Sequence, residues 1–248
     1  MFIPQILRFD SLPSTSIEAA RRAVEGAAEG LCIVASEQTA GRGRLDRQWV
    51  SPKDAGLYFS VVLRPKFDQS MWPLLTLTAA VVVHDTLLET YFLKTDIKWP
   101  NDILADDKKL CGILAETVES TLGRAVILGI GINLKRNSFP AELDEVATSV
   151  EAVAGPRVES QVVLSHLLNV LGRYYGILQQ PAGADEIIRE WSSRSSYANG
   201  KQIRVANGEE ILEGTTRGLD RDGALRVEVG NGEIKTVRAG DVTNLRTT

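Results

Sequence analysis

Glycines and arginines alternate in a short segment between two apolar runs, a pattern that suits the binding of an anion. The segment spans residues 38–49 and contains Gly41, Arg42, Gly43 and Arg44, with a tryptophan at its end. Glycine frees the backbone to turn, and arginine keeps its charge at any physiological pH. Such a loop can fold over an anion with N–H groups and guanidinium forks facing the oxygens, and the tryptophan can serve as a flat lid. The alternative is a solvated basic turn.

Further polar clusters downstream favour the binding interpretation. They comprise residues 98–102 (KWPND) and 108–112 (KKLCG). Gly129 and Gly131 interrupt an apolar strand, where glycine is costly unless another backbone or a ligand comes close. A row of hydroxyls at residues 14–16 opens a helix, where it can cap the helix or bond a polar ligand.

Together these groups supply cations, amide donors and points of close backbone approach, and no nucleophile among them is paired with a base. They suit nucleotidyl or phosphoryl transfer, in which positioning and charge stabilisation do most of the catalysis. The sequence contains no G-x-x-x-x-G-K-[ST] motif, so a nucleotide has to be held in another way.

The composition bounds the class of protein. The chain has 248 residues, of which 44% are hydrophobic and 24% charged, the balance of a soluble globular protein. Its formal net charge is −4, which argues against a general nucleic-acid binder because such proteins need a basic surface. Arginines confined to one loop of an acidic protein indicate a small anionic ligand instead.

The cysteines and histidines indicate neither a metal site nor a catalytic triad. Cys32 and Cys111 each lie inside an apolar run, as buried thiols in a reducing compartment do. His84 and His166 each stand alone in a helical pattern. There is no signal-peptide pattern and no apolar run of membrane-spanning length, so we expect a cytoplasmic protein.

The elements expected around the polar groups form an α+β domain with an antiparallel or mixed sheet. The predicted strands are 9–13, 31–35, 57–65, 96–100, 110–117 and 125–134, and a polar hairpin turn is predicted at 106–109. One predicted helix begins at residue 14, and three others span 70–91, 158–178 and 185–191. The helix at residue 14 has Thr15 and Glu18 in capping-box spacing.

The composition changes after residue 191. A polar connector precedes short alternating runs that are broken by Asn-Gly or Asp-Gly turns at 207–208, 222–223 and 231–232. This pattern predicts a small all-β barrel of SH3-like size. We therefore divide the chain into a first domain at residues 1–195, which carries the polar clusters, and a C-terminal domain at residues 196–248.

The sequence resembles the bacterial biotin protein ligases over nearly its whole length. The matching segments are 14–15, 38–44 with Trp49, 98–102, 109–114 and 129–133, in the order and approximate spacing of the family. The resemblance implies a class II aminoacyl-tRNA-synthetase-like catalytic domain with a mixed sheet and flanking helices, followed by an SH3-like β-barrel. Regulatory members carry an N-terminal DNA-binding domain for which this chain has no room, so we expect the monofunctional class.

The resemblance also implies the reaction. Biotin would attack the α-phosphate of ATP to give biotinyl-5′-AMP and pyrophosphate, and a lysine of the biotin carboxyl carrier protein of acetyl-CoA carboxylase would then take the biotinyl group. ATP and Mg²⁺ are the implied cofactors, with Mg²⁺ mainly on the phosphates. Neither DNA nor a membrane is expected as a partner, and the oligomeric state stays open, with a homodimer as one alternative.

The resemblance implies Arg42, Lys109 and Asp102 as catalytic residues. The residues implied to bind biotin or the nucleotide are Ser14, Thr15, Ser16, Gln38, Gly41, Arg42, Gly43, Arg44, Trp49, Asn101, Lys109, Gly112 and Asn133. Arg42 would neutralise the carboxylate and the α-phosphate, while Lys109 would steady the carboxylate end. Asp102 is either a metal ligand, a proton acceptor or a structural turn residue, and the metal ligands stay unknown.

The residues near the helix start and Gln38 can offer hydrogen bonds to the ureido ring, and Trp49 would cover the intermediate and exclude water. For Trp99 we favour plain core packing. Two positions depart from the family pattern: Asp46 replaces an expected glycine, and Ser16 stands where asparagine is usual. They put the ordering of the loop and one ring contact in doubt. We expect the loop to order on binding.

Two other functions are compatible with parts of the pattern. A lipoate-protein ligase or octanoyltransferase of the same superfamily performs similar acyl chemistry but lacks the Gly/Arg signature, and an octanoyltransferase usually relies on a reactive cysteine or lysine. A non-catalytic regulator would bind biotinyl-AMP without transferring it. Release of pyrophosphate followed by labelling of a carrier domain would separate the enzyme from the regulator.

Overall fold

The structure is a computed structural model that describes residues 2–208 and 210–245. Its helices are α1 (Thr15–Val24), α2 (Leu74–Tyr91), α3 (Val150–Ala154), α4 (Ser160–Leu178) and α5 (Gly183–Arg194), with 3₁₀ turns at Gln69–Met71 and Ala141–Leu143. The strands are β1 (Gln5–Leu12), β2 (Leu31–Gln38), β3 (Gly56–Leu63), β4 (Asp96–Lys98), β5 (Asp102–Ala105), β6 (Lys108–Val118), β7 (Ala125–Asn133), β8 (Asn199–Asn207), β9 (Glu210–Leu219), β10 (Leu225–Glu228), β11 (Ile234–Val237) and β12 (Asp241–Asn244).

The first domain is built on a mixed sheet. Within the described residues it has seven strands in the order β1-β2-β3-β7-β6-β5-β4. β1 and β2 run parallel, and the other neighbours run antiparallel. The α+β class and the mixed sheet predicted from the sequence are thus confirmed.

The two faces of the sheet are covered differently. On one face, α1 packs its small residues Ala19 and Ala23 against Ile33 and Ile127, in a minor apolar cluster. On the other face, α2 is apolar almost all round and is buried between the sheet and the helices α4 and α5. The small side chains of α1 let that helix lie close to the sheet, and this closeness shapes the site described below.

The start of α1 differs from the expectation. Ser14, rather than Thr15, occupies the N-cap position, and its side chain makes no capping hydrogen bond. Glu18 does not reach back to the helix start, because its carboxylate is held by Arg21 and Arg22 at 2.7 Å. These two guanidinium groups lower the pKa of Glu18 to about 2, chiefly through the hydrogen bond from Arg21. The hydroxyls of Thr15 and Ser16 therefore serve other contacts, and that of Ser14 is buried without a hydrogen-bond partner among the described residues.

The hairpin between β5 and β6 forms as predicted. Asp106 and Asp107 both have positive φ, at 50° and 60°, which is the backbone of a type I′ hairpin turn. The pairing places Asp102 opposite Gly112. A carboxylate and a residue without a side chain therefore face each other at one end of the sheet.

The C-terminal domain confirms the predicted all-β tail. Its described strands form a five-stranded antiparallel sheet in the order β11-β10-β9-β8-β12. Trp99 is buried as expected, and its Nε1 donates to the carbonyl of Gly223 at 3.0 Å. Its packing therefore also ties the first domain to the C-terminal sheet. Among the helices of the described residues, none has both the length and the apolar character needed to cross a membrane.

Candidate active site

Three glycines leave a strip of the sheet without side chains on the face that α1 covers. Gly112 of β6 pairs directly with Gly131 of β7, and Gly129 lies two residues before Gly131. We call these three residues the glycine floor. A Cβ built at Gly129 would lie 2.7 Å from Oγ of Ser16, so the start of α1 approaches the backbone of the sheet closely. The strand glycines that the sequence singled out are thus explained by close approach.

The Gly/Arg segment, residues 41–49, forms a hairpin over this floor, and we call it the Gly/Arg hairpin. The amide of Gly43 donates to the carbonyl of Arg47 at 2.7 Å, and the amide of Arg47 donates to Arg44 at 3.2 Å. Leu45 and Asp46 both have positive φ, at 54° and 57°. Aspartate tolerates this conformation better than most residues, so the hairpin accommodates Asp46, whereas the backbone at Leu45 costs about 1 kcal/mol.

Trp49 lies flat against the glycine floor. A Cβ at Gly131 would lie 2.4 Å from its Nε1, and one at Gly112 would lie 2.9 Å from its ring. The indole N–H is buried and has no hydrogen-bond partner among the described residues. Trp49 therefore covers the glycine floor, and its role as a lid over a ligand stays a prediction.

One end of the site is a network of neutral hydrogen-bonding groups. Oε1 of Gln38 accepts from the amide of Thr15 at 2.8 Å and from its hydroxyl at 3.1 Å, and Nε2 of Gln38 donates to Ser51 at 2.8 Å. The hydroxyls of Thr15 and Ser16 also lie 2.9 and 3.0 Å from that of Ser60. These groups can exchange their partners for a polar ring that both donates and accepts.

The other end of the site is cationic, and each cation is held by a protein group. Arg42 donates to both oxygens of Glu116, at 3.0 and 2.8 Å. Nζ of Lys109 lies 2.7 Å from Asp102 and 5.4 Å from the centroid of the Trp49 ring. The guanidinium of Arg44 donates to Asn101 at 3.1 Å. A ligand with a carboxylate or phosphate can replace these internal partners, since guanidinium and ammonium groups bind both.

An apolar wall extends the site beyond the end of β7. It consists of Phe139, Leu143, Val146 and Ala147. The wall is held against β6 because the amide of Lys109 donates to the carbonyl of Val146 at 2.8 Å. Such a wall can accept a flat, uncharged ring.

All these groups surround one cavity of about 260 Å³. Within the described residues, its lining includes twelve of the predicted site residues, Thr15, Ser16, Gln38, Arg42, Gly43, Arg44, Trp49, Asn101, Asp102, Lys109, Gly112 and Asn133. Ser14 and Gly41 do not line it. Ser14 is buried beneath the helix start, and a side chain at Gly41 would meet the carbonyl of Trp49 at 2.3 Å. Gly41 therefore serves the hairpin itself.

Several lining residues were not predicted from the sequence. Asp241 of the C-terminal domain lines the cavity although it lies about 200 residues from the Gly/Arg hairpin. The four residues of the apolar wall recur at helical spacing (i, i+4, i+7 and i+8), a signal that could have marked the segment, although it forms only a 3₁₀ turn at Ala141–Leu143. Glu116, which does not line the cavity but holds Arg42, reads in the sequence as an ordinary strand residue.

Two aspartates and four cations line the cavity, counted over residues 2–208 and 210–245. Across the same part of the chain, no three His, Cys, Asp or Glu side chains come together as a metal site would require. Burial lowers the pKa of the neighbouring Lys98, with the positive charge of Lys109 acting in the same direction and Asp102 opposing it. Because the cations that line the cavity outnumber the aspartates by two, the arrangement favours a polyanionic ligand.

Neither cysteine is equipped as a nucleophile. Cys32 and Cys111 are fully buried. Burial raises the pKa of Cys32 to about 12, and it raises the pKa of Cys111 as well. Because the thiolate is the reactive form, these thiols are inert at neutral pH.

Two family models match the sequence. The model of the Biotin/lipoate A/B protein ligase family matches residues 7–133, and the model of the Biotin protein ligase C terminal domain matches residues 199–243. The first covers the glycine floor, the Gly/Arg hairpin and the start of α1. The second covers most of the C-terminal sheet.

The chain is also similar to individual proteins. It is 38% identical to the bifunctional ligase/repressor BirA of Bacillus subtilis, over 96% of this chain and 73% of that protein. It is 34% identical to the biotin–[acetyl-CoA-carboxylase] ligase of Mycobacterium tuberculosis, over 94% and 86%. The biotin protein ligase from Aquifex aeolicus, solved in complex with biotin and ATP, superposes with a TM-score of 0.84 at 28% identity, covering 99% of this chain and all of that one.

Replacing Gly131 by alanine should force the Gly/Arg hairpin open. The new methyl group has no room beside Nε1 of Trp49, so the indole has to leave the floor. We expect limited trypsin digestion to cut within residues 42–47 severalfold faster than in the wild type. Gly176→Ala is the matched control, because that helical glycine has open space around its Cβ position. Equal cleavage rates in Gly131→Ala and the wild type would contradict the close packing of Trp49.

The two cysteine thiols should be unreactive in the native protein. At pH 8 we expect no reaction with a chromogenic disulfide reagent over minutes, and two thiols per chain after unfolding in guanidinium, because burial keeps both cysteines protonated. Rapid modification of one thiol in the folded protein would contradict this expectation and would favour the alternative of a transferase that uses a reactive cysteine.

Proposed function

The chain belongs to the Biotin/lipoate A/B protein ligase family, and we propose that the cavity over its glycine floor is the site at which this biotin protein ligase joins biotin to ATP. The enzyme activates biotin with ATP to biotinyl-5′-AMP, releasing pyrophosphate, and transfers biotin to a lysine of the biotin carboxyl carrier protein of acetyl-CoA carboxylase. One observation supports the cavity above all others: a neutral hydrogen-bonding end and a cationic end face each other across a strip of bare backbone.

The neutral end is the proposed place for the ureido ring of biotin. Gln38 and Thr15 bond each other, and the ring can take over these bonds with its N–H groups and its carbonyl. Ser16, which stands where the family usually has asparagine, can contribute its hydroxyl, now shared with Ser60. Gly41 acts indirectly, by allowing the hairpin to fold, and Ser14 contributes its backbone carbonyl, which accepts from the amide of Glu18 at 3.1 Å.

The cationic end is the proposed place for the chemistry. In the first step a carboxylate oxygen of biotin bonds to the α-phosphorus of ATP while the bond to pyrophosphate breaks. Arg42 and Lys109 neutralise the two anions that have to approach each other, and this electrostatic stabilisation is the main catalytic contribution. Arg44 and the backbone of Gly43 hold the hairpin closed over the product, and Trp49 keeps water from the mixed anhydride.

The apolar wall is the proposed place for adenine. Phe139, Leu143 and Val146 offer the ring an uncharged surface next to the cations that hold the phosphates. Asn133 donates to the carbonyl of Thr148 at 3.0 Å, and Asn101 donates to that of Ile113 at 2.9 Å. These two asparagines therefore support the nucleotide by positioning the segments around it.

In the second step the lysine nitrogen of the carrier bonds to the acyl carbon of biotinyl-AMP, and AMP leaves. The amine has to lose a proton, and Asp102, which lines the cavity beside Lys109, is the proposed acceptor. Mg²⁺ accompanies ATP, and phosphate oxygens and water supply most of its ligands in such reactions. Asp102 is not needed as a metal ligand on this account.

The domain boundary, the cellular location, the absence of DNA binding and the oligomeric state are proposals as well. We place the domain boundary between residues 195 and 196 and the enzyme in the cytoplasm, where its carrier and ATP are found. A net charge of −4 argues against DNA binding by this chain. The fold is compatible with a homodimer, and analytical sedimentation would measure the oligomeric state.

The direct test of function uses labelled biotin, ATP and a carrier domain. Pyrophosphate release that depends on biotin, followed by label on one carrier lysine, is the expected result. Pyrophosphate release without transfer would indicate a regulator that only binds the adenylate. Labelling with lipoate or octanoate in place of biotin would indicate the related ligase or transferase, which the buried thiols and the biotin protein ligase C-terminal domain disfavour.

Arg42→Ala should abolish tight retention of biotinyl-AMP. Charge-assisted bonds to phosphate contribute about 1.5–3 kcal/mol, so we expect calorimetry to show an affinity at least tenfold weaker. Arg42→Lys keeps the charge but loses the planar guanidinium fork. Its affinity for biotinyl-AMP should therefore lie between those of the wild type and Arg42→Ala. An unchanged affinity in Arg42→Ala would refute this role.

Lys109→Ala should slow adenylation more than transfer, since the ammonium acts on the carboxylate that attacks phosphorus. Single-turnover rates of the two half-reactions measure the difference. Lys108→Ala is the matched control, because Lys108 donates to the carbonyl of Asp144 and does not line the cavity. A larger fold-decrease in the rate of transfer than in the rate of adenylation, each compared with the wild type, would sink the assignment.

A further inference from the structure

The C-terminal domain contacts the Gly/Arg hairpin through the first residues of β12. The guanidinium of Arg47, at the tip of the hairpin, forms an ion pair with Asp241. Arg44 also donates to the carbonyl of Gly240 at 3.4 Å. The contacts thus join Asp241, the first residue of β12, and Gly240, which precedes it, to two arginines of the Gly/Arg hairpin in the other domain.

The backbone around Gly240 keeps this contact in place. Gly240 has a φ of +140°, and a Cβ there would meet the side chain of Val205 at 2.7 Å and the carbonyl of Ala206 at 2.9 Å. Asp241 pairs with Ala206 of β8 in the sheet. The carboxylate is therefore presented from a fixed position, whereas Arg47 is carried by a hairpin with two residues at positive φ.

The hairpin has few other attachments to the rest of the protein. Arg42 bonds Glu116, Arg44 bonds Asn101, and Trp49 lies on the glycine floor. A bound intermediate competes for Arg42 and lifts Trp49, so those attachments weaken when the site is filled. The pair of Arg47 and Asp241 lies at the rim and can persist while the ligand is bound.

We infer that Asp241 is a positioning residue that keeps the Gly/Arg hairpin closed over biotinyl-AMP by holding Arg47, so that the C-terminal domain governs how long the reactive intermediate is retained. This inference rests on the proposed function. It assigns the C-terminal domain a part in the lifetime of the mixed anhydride, separate from adenylation itself. The pair is partly exposed, with side-chain exposures of 67% and 31%, so its effect is moderate.

The test measures dissociation of biotinyl-AMP formed in place. Full-length enzyme is loaded with labelled biotin and ATP, freed of excess ligand, and chased with unlabelled biotinyl-AMP while release is followed. Asp241→Asn should release the intermediate about fivefold faster, which corresponds to about 1 kcal/mol. The rate of adenylation in a single turnover should change less than twofold. Asp241→Glu keeps the charge and should restore most of the retention.

Two further variants separate a positioning role from a structural one. Glu213→Gln breaks an exposed pair with Arg204 inside the same domain, away from the cavity, and should release biotinyl-AMP at the wild-type rate. In an Arg47→Gln background, Asp241→Asn should add no further acceleration, because the partner is already gone. Additive effects would mean that Asp241 acts on the ligand or on folding, and they would overturn the inference.

The outcomes are also distinct from those of the proposed function. If the wild type forms no biotinyl-AMP, the proposed function fails. If the wild type forms and retains it, and Asp241→Asn retains it equally long, the function stands and the role of Asp241 is refuted.

Discussion

The close approach of two segments to bare backbone is the constraint on which this site depends. Gly112, Gly129 and Gly131 leave a strip of the sheet without side chains, and both the start of α1 and Trp49 come within contact of it. Any Cβ on this strip would push away the hydroxyls or the indole. The glycines weaken the strands, yet the long antiparallel pairing of β6 and β7 with their neighbours keeps them in the sheet. The site thus has a floor of bare backbone and a cover that the Gly/Arg hairpin contributes.

The second principle of the site is exchange of partners. In the structure Gln38 bonds Thr15, Arg42 bonds Glu116 and Lys109 bonds Asp102. On the proposed function, a ligand that carries a urea at one end and an anion at the other would replace these bonds with bonds of the same kind. Each of these groups thus has a partner within the protein, and binding energy could be used to bring the carboxylate and the phosphate together.

Local patterns in the sequence predicted much of the fold, and the resemblance to the bacterial biotin protein ligases implied many of the residues that line the cavity. Alternation and turn residues located the hairpin at Asp106 and Asp107 and the β-rich tail, because these features depend on neighbours in sequence. The capping box at α1 was wrong, since Gln38 and Ser60 from other strands compete for the hydroxyl of Thr15. The partners Glu116 and Asp241 could not be predicted, because only the tertiary fold brings them to the Gly/Arg hairpin. The apolar wall could not be assigned to the site from the sequence, because its residues recur at helical spacing whereas the segment forms only a short 3₁₀ turn, and tertiary contacts with β6 bring it to the cavity.

A crystal structure of the enzyme with biotinyl-5′-AMP tests the central claim most directly. The account predicts that the biotin rings lie against Gly112, Gly129 and Gly131, that Trp49 has moved outward to cover them, and that the phosphate has replaced Glu116 as the partner of Arg42. Finding the intermediate bound away from the glycine floor, with Trp49 still in contact with Gly131 and Arg42 still paired with Glu116, would contradict it.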